Sequence, residues 1–277
     1  MVSQVVAAPP IALLIPVRNR QSKLDRALRS VVAEASLLKV IVIDDGSDPP
    51  VQIDPSVELD IHVIRLEAGQ GVAAALNRGL THAFDLGVPY IARLDSDDTA
   101  IEGRFRAQLA LLERNPSVGI CGSGYFECST SGGVRTTVHM PRHDAGIRRG
   151  MHLRMTLWHP TVMVRASVAR RVGWYDPSLA CEDMDYFLRV MDISEAANLP
   201  EPLIRYETGA DDALTRHGSH RRAIARDVLR LKWRRREPLN PLWWAGLLSG
   251  MAYFLGINRC LAPLRGPITR RLDRSAR

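Results

Sequence analysis

The first hundred residues carry an apolar pattern that changes period several times. "IALLI" (11–15) is an unbroken apolar run, expected to be a buried strand that ends at Pro16. Leu24, Ala27, Leu28 and Val31 then fall at helical spacing, which predicts a helix over 22–35 with Ser22 as its N-cap. "KVIVI" (39–43) and "DIHVIRL" (60–66) read as the second and third strands. An Ala/Leu-rich stretch (71–87) reads as the next helix, and "PYIARL" (89–94) as the fourth strand. This alternation predicts an α/β fold with a mostly parallel sheet flanked by helices.

Beyond residue 100 the pattern is more mixed. A helix is expected over 101–116, with Asp98 or Thr99 as its cap, followed by strands in "VGICGSGYFEC" and "VRTTVHM". "HPTVMVR" (159–165) reads as a strand that leads into a short helix ending at Arg171. "EDMDYFLRVMD" (182–192) has helical spacing, with Met184, Phe187, Leu188 and Met191 on one stripe. A basic helix is expected over 222–237.

Three apolar strands end in polar clusters: "PVRN", "DDGSD" and "DSDD". Ligands of open α/β sheets bind outside the carboxyl ends of the strands, so the three clusters outline one pocket. "DSDD" sets Asp95, Asp97 and Asp98 within four positions. A helix cap needs one such residue, whereas three carboxylates crowded together call for a divalent cation, Mn²⁺ or Mg²⁺. The chain has no GxxxxGK[ST] and no GxGxxG. Phosphate neutralisation would therefore fall to that cation, as in a reaction that expels a nucleoside diphosphate.

In order, "IPVRNR", "VIVIDDGSD", "AALNRGL", "YIARLDSDD" and "HPTVMVR…VGWYDPSLACEDMDYFLRV" resemble the family 2 glycosyltransferases of the GT-A fold. The resemblance covers residues 11 to about 206. It implies a nucleotide-sugar half (1–100) and an acceptor half (101–220) of one GT-A domain, followed by a helical tail (221–277). It also implies a nucleoside site formed by Pro16, Val17, Asn19, Asp44, Asp45, Asn77 and Gly79, with Asp95 near the ribose and Ser96 beside it. Asp97 and Asp98, with Asp95, would hold the metal. Glu182 and Asp183 would be the catalytic pair, with Asp183 as base. Asp183 lies about 90° from the apolar stripe of its helix at 100° per residue, at the edge of the packed face and at the helix start. Asp185 is a weaker candidate on the other flank. His159 would shape the acceptor pocket, and Trp158 and Trp174 are candidate sugar platforms, with packed aromatics as the other reading.

The activity implied is inverting transfer from a nucleotide-diphospho-sugar, UDP-linked, to a hydroxyl of a glycan or lipid-linked acceptor in surface polysaccharide synthesis. A polyprenyl-phosphate glycosyl synthase and a non-catalytic sugar-nucleotide-binding scaffold are the alternatives; the intact acidic pairs speak against both. Three places depart from the family pattern. Arg18 stands where many relatives have an aromatic residue, and Leu76 where many have Arg. Near the end of the domain, where many relatives carry His, the sequence has Glu207 and Thr208. His217 is then either a late metal or phosphate ligand or an exposed loop histidine.

Charge changes the picture at the C-terminus. The chain carries +7 overall, but residues 221–277 alone carry +11, which leaves −4 for the body. That argues against a nucleic-acid partner and for a tail that meets an anionic membrane surface. "LWWAGLLSGMAYFLGI" (242–257) would span about 24 Å as a helix, short of the roughly 30 Å of a bilayer core. It suits an interfacial anchor, the other reading being a helix packed on the body or in a homodimer. No signal-peptide pattern opens the chain, and the four cysteines form no CxxC pair. The expected location is cytoplasmic, peripheral on the inner face of the membrane.

Overall fold

The computed structural model describes residues 9–208, 218–235 and 241–254. Nine strands form one sheet in the order β3-β2-β1-β4-β8-β6-β9-β5, with β7 (Val134–Val138) paired to β6. The parallel core comprises β1 (Ile11–Val17), β2 (Leu38–Asp44), β3 (Asp60–Arg65) and β4 (Tyr90–Arg93). The second half of the chain continues the same sheet. β8 (Met163–Arg165) runs antiparallel to β4 and β6 (Val118–Ser129), and β9 (Glu195–Thr208) is parallel to β6. The short β5 (Thr99–Ala100) closes the edge against β9.

Alternate residues of β1 serve the two sides. Ala12 and Leu14 pack with α2 (Val72–Asp85), α4 (Asp144–Met151), α5 (Ala166–Val172) and α6 (Glu182–Met191). Ile11, Leu13 and Ile15 pack with α1 (Gln21–Arg29) and α3 (Arg104–Arg114). Burial on both faces explains why these strands read as continuous apolar runs.

Several boundaries differ from the sequence expectation, each for a local reason. Pro16 lies inside β1 and pairs with Ile43. The β4 pairing ends at Leu14, so the missing N–H of Pro16 breaks no ladder bond on that side. The helix expected over 22–35 stops at Arg29, and its N-cap is Arg20 rather than Ser22. A 3-10 segment (Val32–Leu37) follows and turns Glu34 inward. Glu34 is buried, and its carboxylate accepts the N–H groups of Gly103, Phe105 and Arg106 at 3.1, 3.3 and 2.9 Å. It thus caps α3 from outside the helix, the role expected of Asp98 or Thr99. Residues 159–165 divide into a 3-10 turn (His159–Thr161) and β8. Neither α4 nor β9 was anticipated from the pattern.

The basic helix α7 (Gly218–Arg235) packs on the body and α8 (Pro241–Phe254) packs on α7. Asp227, fully buried, accepts the N–H of Ala180 at 3.1 Å just before α6, and Arg235 forms a bidentate pair with Asp192 just after it. Trp243 Nε1 donates to the Lys232 carbonyl, and Lys232 donates to the His152 carbonyl. No helix among the described residues is long and apolar enough to cross a membrane. Cys121, Cys128 and Cys181 are free and buried. His217 lies outside the described residues.

Candidate active site

The parallel register sets the ends of β1, β2 and β4 side by side, and the loops leaving β1 and β2 are stitched together. Asp45 N–H donates to the Val17 carbonyl at 2.8 Å. Asn19, at φ 54, donates its N–H to Ser47 Oγ and accepts from Asp48 N–H at 2.8 Å. Asp45 then reaches a third loop and accepts the N–H groups of Gln70 and Gly71 at 2.7 and 3.0 Å. Arg18 lies over Gly69, where a Cβ would collide with the guanidinium.

Asp44 is buried and saturated, taking bonds from Ser47 N–H, Val51 N–H and Arg65. Burial alone would raise its pKa; these donors outweigh it and hold the carboxylate below its ordinary value. Two of the expected nucleoside residues are engaged elsewhere. The Asn77 amide makes two bonds of 2.8 Å with the backbone of Tyr175. Gly79 is where α2 presses on the sheet, since a Cβ there would meet Ile43 at 2.9 Å.

The "DSDD" carboxylates behave oppositely. They point to different partners: Asp95 to Arg93 Nη2 at 2.7 Å, Asp97 to Arg20, and Asp98 Oδ1 to the N–H of Glu207 at 3.1 Å. Ser96 is buried between them in the chain. Burial, reinforced by Asp95, raises the pKa of Asp97. Burial and both neighbouring carboxylates push Asp98 well up. Among the described residues no three His, Cys, Asp or Glu side chains converge on one point, so Asp95, Asp97 and Asp98 form no preassembled three-ligand site. The donors still fit a hard divalent cation. They are all oxygens, and Asp98 Oδ2 is buried with no hydrogen-bond donor.

Glu182 and Asp183 open α6. Asp183 accepts the Met184 N–H at 2.7 Å; burial raises its pKa despite that bond and despite Arg93. Burial and the Asp183 charge push Glu182 up to about 7. Asp185 is instead neutralised by Arg189 at 2.7 Å. Arg93 pairs with Asp95 of the first acidic motif and lies within electrostatic reach of Glu182 and Asp183 of the second. Burial disfavours its charge, but Asp95, Tyr175 and Glu182 outweigh that and raise its pKa. Its Nε and Nη1 have no hydrogen-bond partner.

Of the expected acceptor residues, only His159 is tied to this centre. His159 is buried, contacts the Tyr175 hydroxyl at 3.2 Å, and is held neutral by burial and by Arg93. Tyr175 stacks on Tyr186 at 4.1 Å. Trp158 stacks on Tyr125 at 4.8 Å, with Tyr206 edge-on to both. Trp174 is exposed and belongs to a separate pair with Phe84. Sequence reasoning missed Arg93, Tyr175, Glu207, Tyr125 and Tyr206. An arginine inside the apolar run "YIARL" was the one available signal, because a buried guanidinium needs anionic company.

The family model described as Glycosyl transferase family 2 matches residues 12–173. The chain belongs to glycosyltransferase family 2. It is similar to the amylovoran biosynthesis glycosyltransferase AmsE of Erwinia amylovora, 28% identical over 201 residues, covering 71% of this chain and 70% of that protein. It is also similar to an uncharacterized glycosyltransferase of Haemophilus influenzae, 25% identical over 256 residues, covering 88% and 90% of the two chains. Among solved structures it resembles S. aureus TarS 1–349 in complex with UDP-GlcNAc, with a TM-score of 0.60 at 14% identity over 95% of this chain and 88% of that one. It also resembles the mannosyltransferase PcManGT of Pyrobaculum calidifontis in complex with GDP-Man and Mn²⁺, with a TM-score of 0.58 at 15% identity over 97% and 74%. The fold of this family 2 glycosyltransferase is GT-A-like.

Proposed function

We propose that the chain transfers a sugar from a UDP-linked donor to a hydroxyl of a glycan or lipid-linked acceptor in surface polysaccharide synthesis, by one inverting displacement. The observation that carries this reading is the pair of buried acidic motifs, one ion-paired to Arg93 and the other within its electrostatic reach. Within "DSDD", Asp98 has an oxygen with no donor and a pKa pushed well up by burial and its neighbouring carboxylates, and burial raises the pKa values of both Asp183 and Glu182. The similarity to TarS, solved with UDP-GlcNAc, and to AmsE, an amylovoran biosynthesis glycosyltransferase, supports the donor and the pathway class.

Asp183 takes the acceptor proton as the hydroxyl attacks the anomeric carbon; burial, with the charge of Asp95, raises its basicity. Asp98 and Asp97 would hold Mn²⁺ or Mg²⁺, Asp97 after exchanging its bond to Arg20. The bound cation supplies positive charge against the leaving diphosphate. The stitched loops around Val17, Asn19 and Asp45 hold the nucleoside, and the planar Arg18 guanidinium stacks on the base where many relatives use an aromatic ring. Mn²⁺-dependent hydrolysis of UDP-sugars tests the reading: activity in wild type and none in Asp183→Asn, with UDP still raising the melting temperature of both, is the expected result. Equal hydrolysis by the two proteins would sink the base assignment.

The tail works at an anionic membrane surface. On α7 the exposed residues Arg222, Arg226, Arg230, Trp233 and Arg234 recur every one to four positions on one face, while Ala225, Asp227, Leu231 and Lys232 are buried on the other. On α8 the exposed side chains Trp244, Leu248 and Met251 are apolar at helical spacing. An apolar stripe tethered to an arginine-rich one suits anionic headgroups over acyl chains. A homodimer through this face would set arginines against arginines.

A further inference from the structure

A groove of about 690 Å³ lies outside the catalytic cluster, between α1 and the β5 edge of the sheet. Arg26, Arg29 and Ser30 form one wall, Thr99, Ala100 and Ile101 the floor, and Phe126 and Arg205 the other wall. Three arginines thus line a single groove. The floor is rigid: Ala100 N–H donates to Ser30 Oγ at 3.0 Å, and β5 is paired to β9 through Thr99↔Arg205.

The charges around it do not balance. Lys23 and Arg26 share one carboxylate, Glu207. Arg29 pairs with Asp54 at 3.1 Å, the guanidinium remaining mostly exposed. Arg205 lies over the Phe126 ring at 5.8 Å and meets no carboxylate among the described residues. Among the described residues, four cations therefore face two carboxylates. The ring contact holds Arg205 by one face, which leaves its N–H edge available for a planar anion. Cations also recur along α1 from the catalytic cluster to this groove, with Arg20 on Asp97, Lys23 and Arg26 on Glu207, and Arg29 at the far end. Glu207 ties the two regions together, because its own N–H donates to Asp98.

We propose that this groove is a second anion site, separate from the donor's diphosphate. It holds a phosphate or carboxylate carried by the acceptor, against the Arg29 end of α1. It rests on the transferase reading only for the identity of the ligand as acceptor. The groove itself is a claim about Arg29 and Arg205. Arginine forks bind both oxyanions bidentately, and the surplus charge favours a dianion.

Calorimetric titration of the full chain, saturated with UDP and in EDTA at low ionic strength, tests it. Inorganic pyrophosphate is one probe, a hexameric polyuronate the second, and a neutral hexasaccharide the control. The expected result is binding of at least one anionic probe that weakens tenfold or more in Arg29→Gln/Arg205→Gln. The UDP-induced melting shift should stay at its wild-type value in that variant. Tighter pyrophosphate would identify a phosphate source, and tighter polyuronate an acidic sugar. Binding equal in wild type and the double variant, binding of the neutral control as tight as the anions, or no binding of either anion overturns the site. A lost UDP shift in Asp183→Asn would instead count against the transferase reading, so the two failures are separable.

Discussion

Asp44 and Asp98 both end or follow a central parallel strand, both are buried, and they are in opposite electrostatic states. Asp44 takes two backbone amides and an arginine, and its pKa is lowered. Asp98 has one amide, two carboxylates beside it and an orphan oxygen, and its pKa is raised. The same side chain in the same topological position is scaffold in one case and unmet demand in the other. The difference teaches where a ligand belongs: a fold satisfies the charges it uses for itself and leaves unsatisfied those meant for something else.

The sharpest break in that comparison comes from Asp183, on the unsatisfied side. Asp183→Asn should lower transfer by about 10²–10⁴-fold, the usual contribution of a positioned base, with UDP-induced stabilisation retained in a thermal-shift assay. Stability separates the two aspartates next. Asp44→Ala strands Arg65 and two amides, and should cost about 2–3 kcal/mol in urea unfolding. Asp98→Asn removes a crowded buried charge, and should leave the midpoint at or above wild type while it abolishes the Mn²⁺-dependent part of nucleotide binding. Equal losses of stability in the two variants would refute the contrast.

A smaller effect is expected at the tail, where each apolar side chain lost from an interface weakens binding by about tenfold per 1.4 kcal/mol. Leu248→Glu should reduce co-sedimentation with vesicles containing anionic lipid by about that factor and leave UDP binding unchanged; an unaltered pellet fraction would rule out the α8 stripe as the contact. The smallest effect is a shift in pH dependence. A base with a raised pKa is protonated and inactive below that value, so activity should rise with pH, with the midpoint of the acidic limb above the ordinary aspartate range because burial raises the pKa of Asp183. Glu182→Gln removes the neighbouring negative charge, lowers the pKa of Asp183, and should move the midpoint of the acidic limb downward. A midpoint that stays put or rises would show that Glu182 does not tune the base.

Where contacts are local, the sequence was legible. The apolar runs of β1, β2 and β4 and the stripe of α6 predicted their elements to within a few residues, because strand and helix periods follow from the chain's own geometry. The three strand-end clusters were also visible, as was the Glu182–Asp183 pair. β9 was not, since Pro200 and Pro202 interrupt its pattern and its pairing with β6 is irregular. Nor was the cap of α3, supplied by Glu34 from some seventy positions away.

By itself the sequence determined the kinds of chemical groups present and their order: strand ends rich in carboxylates, a late acidic pair, and a tail with the chain's excess of arginine. Only the tertiary structure decided which carboxylates are satisfied. It committed Asn77 to the Tyr175 backbone, faced Asp97 with Arg20, left Asp98 Oδ2 without a donor, and paired the buried Arg93 with Asp95. The physical reason is that a charge's state depends on burial and on neighbours within a few ångströms, and for these residues those neighbours come from distant parts of the chain.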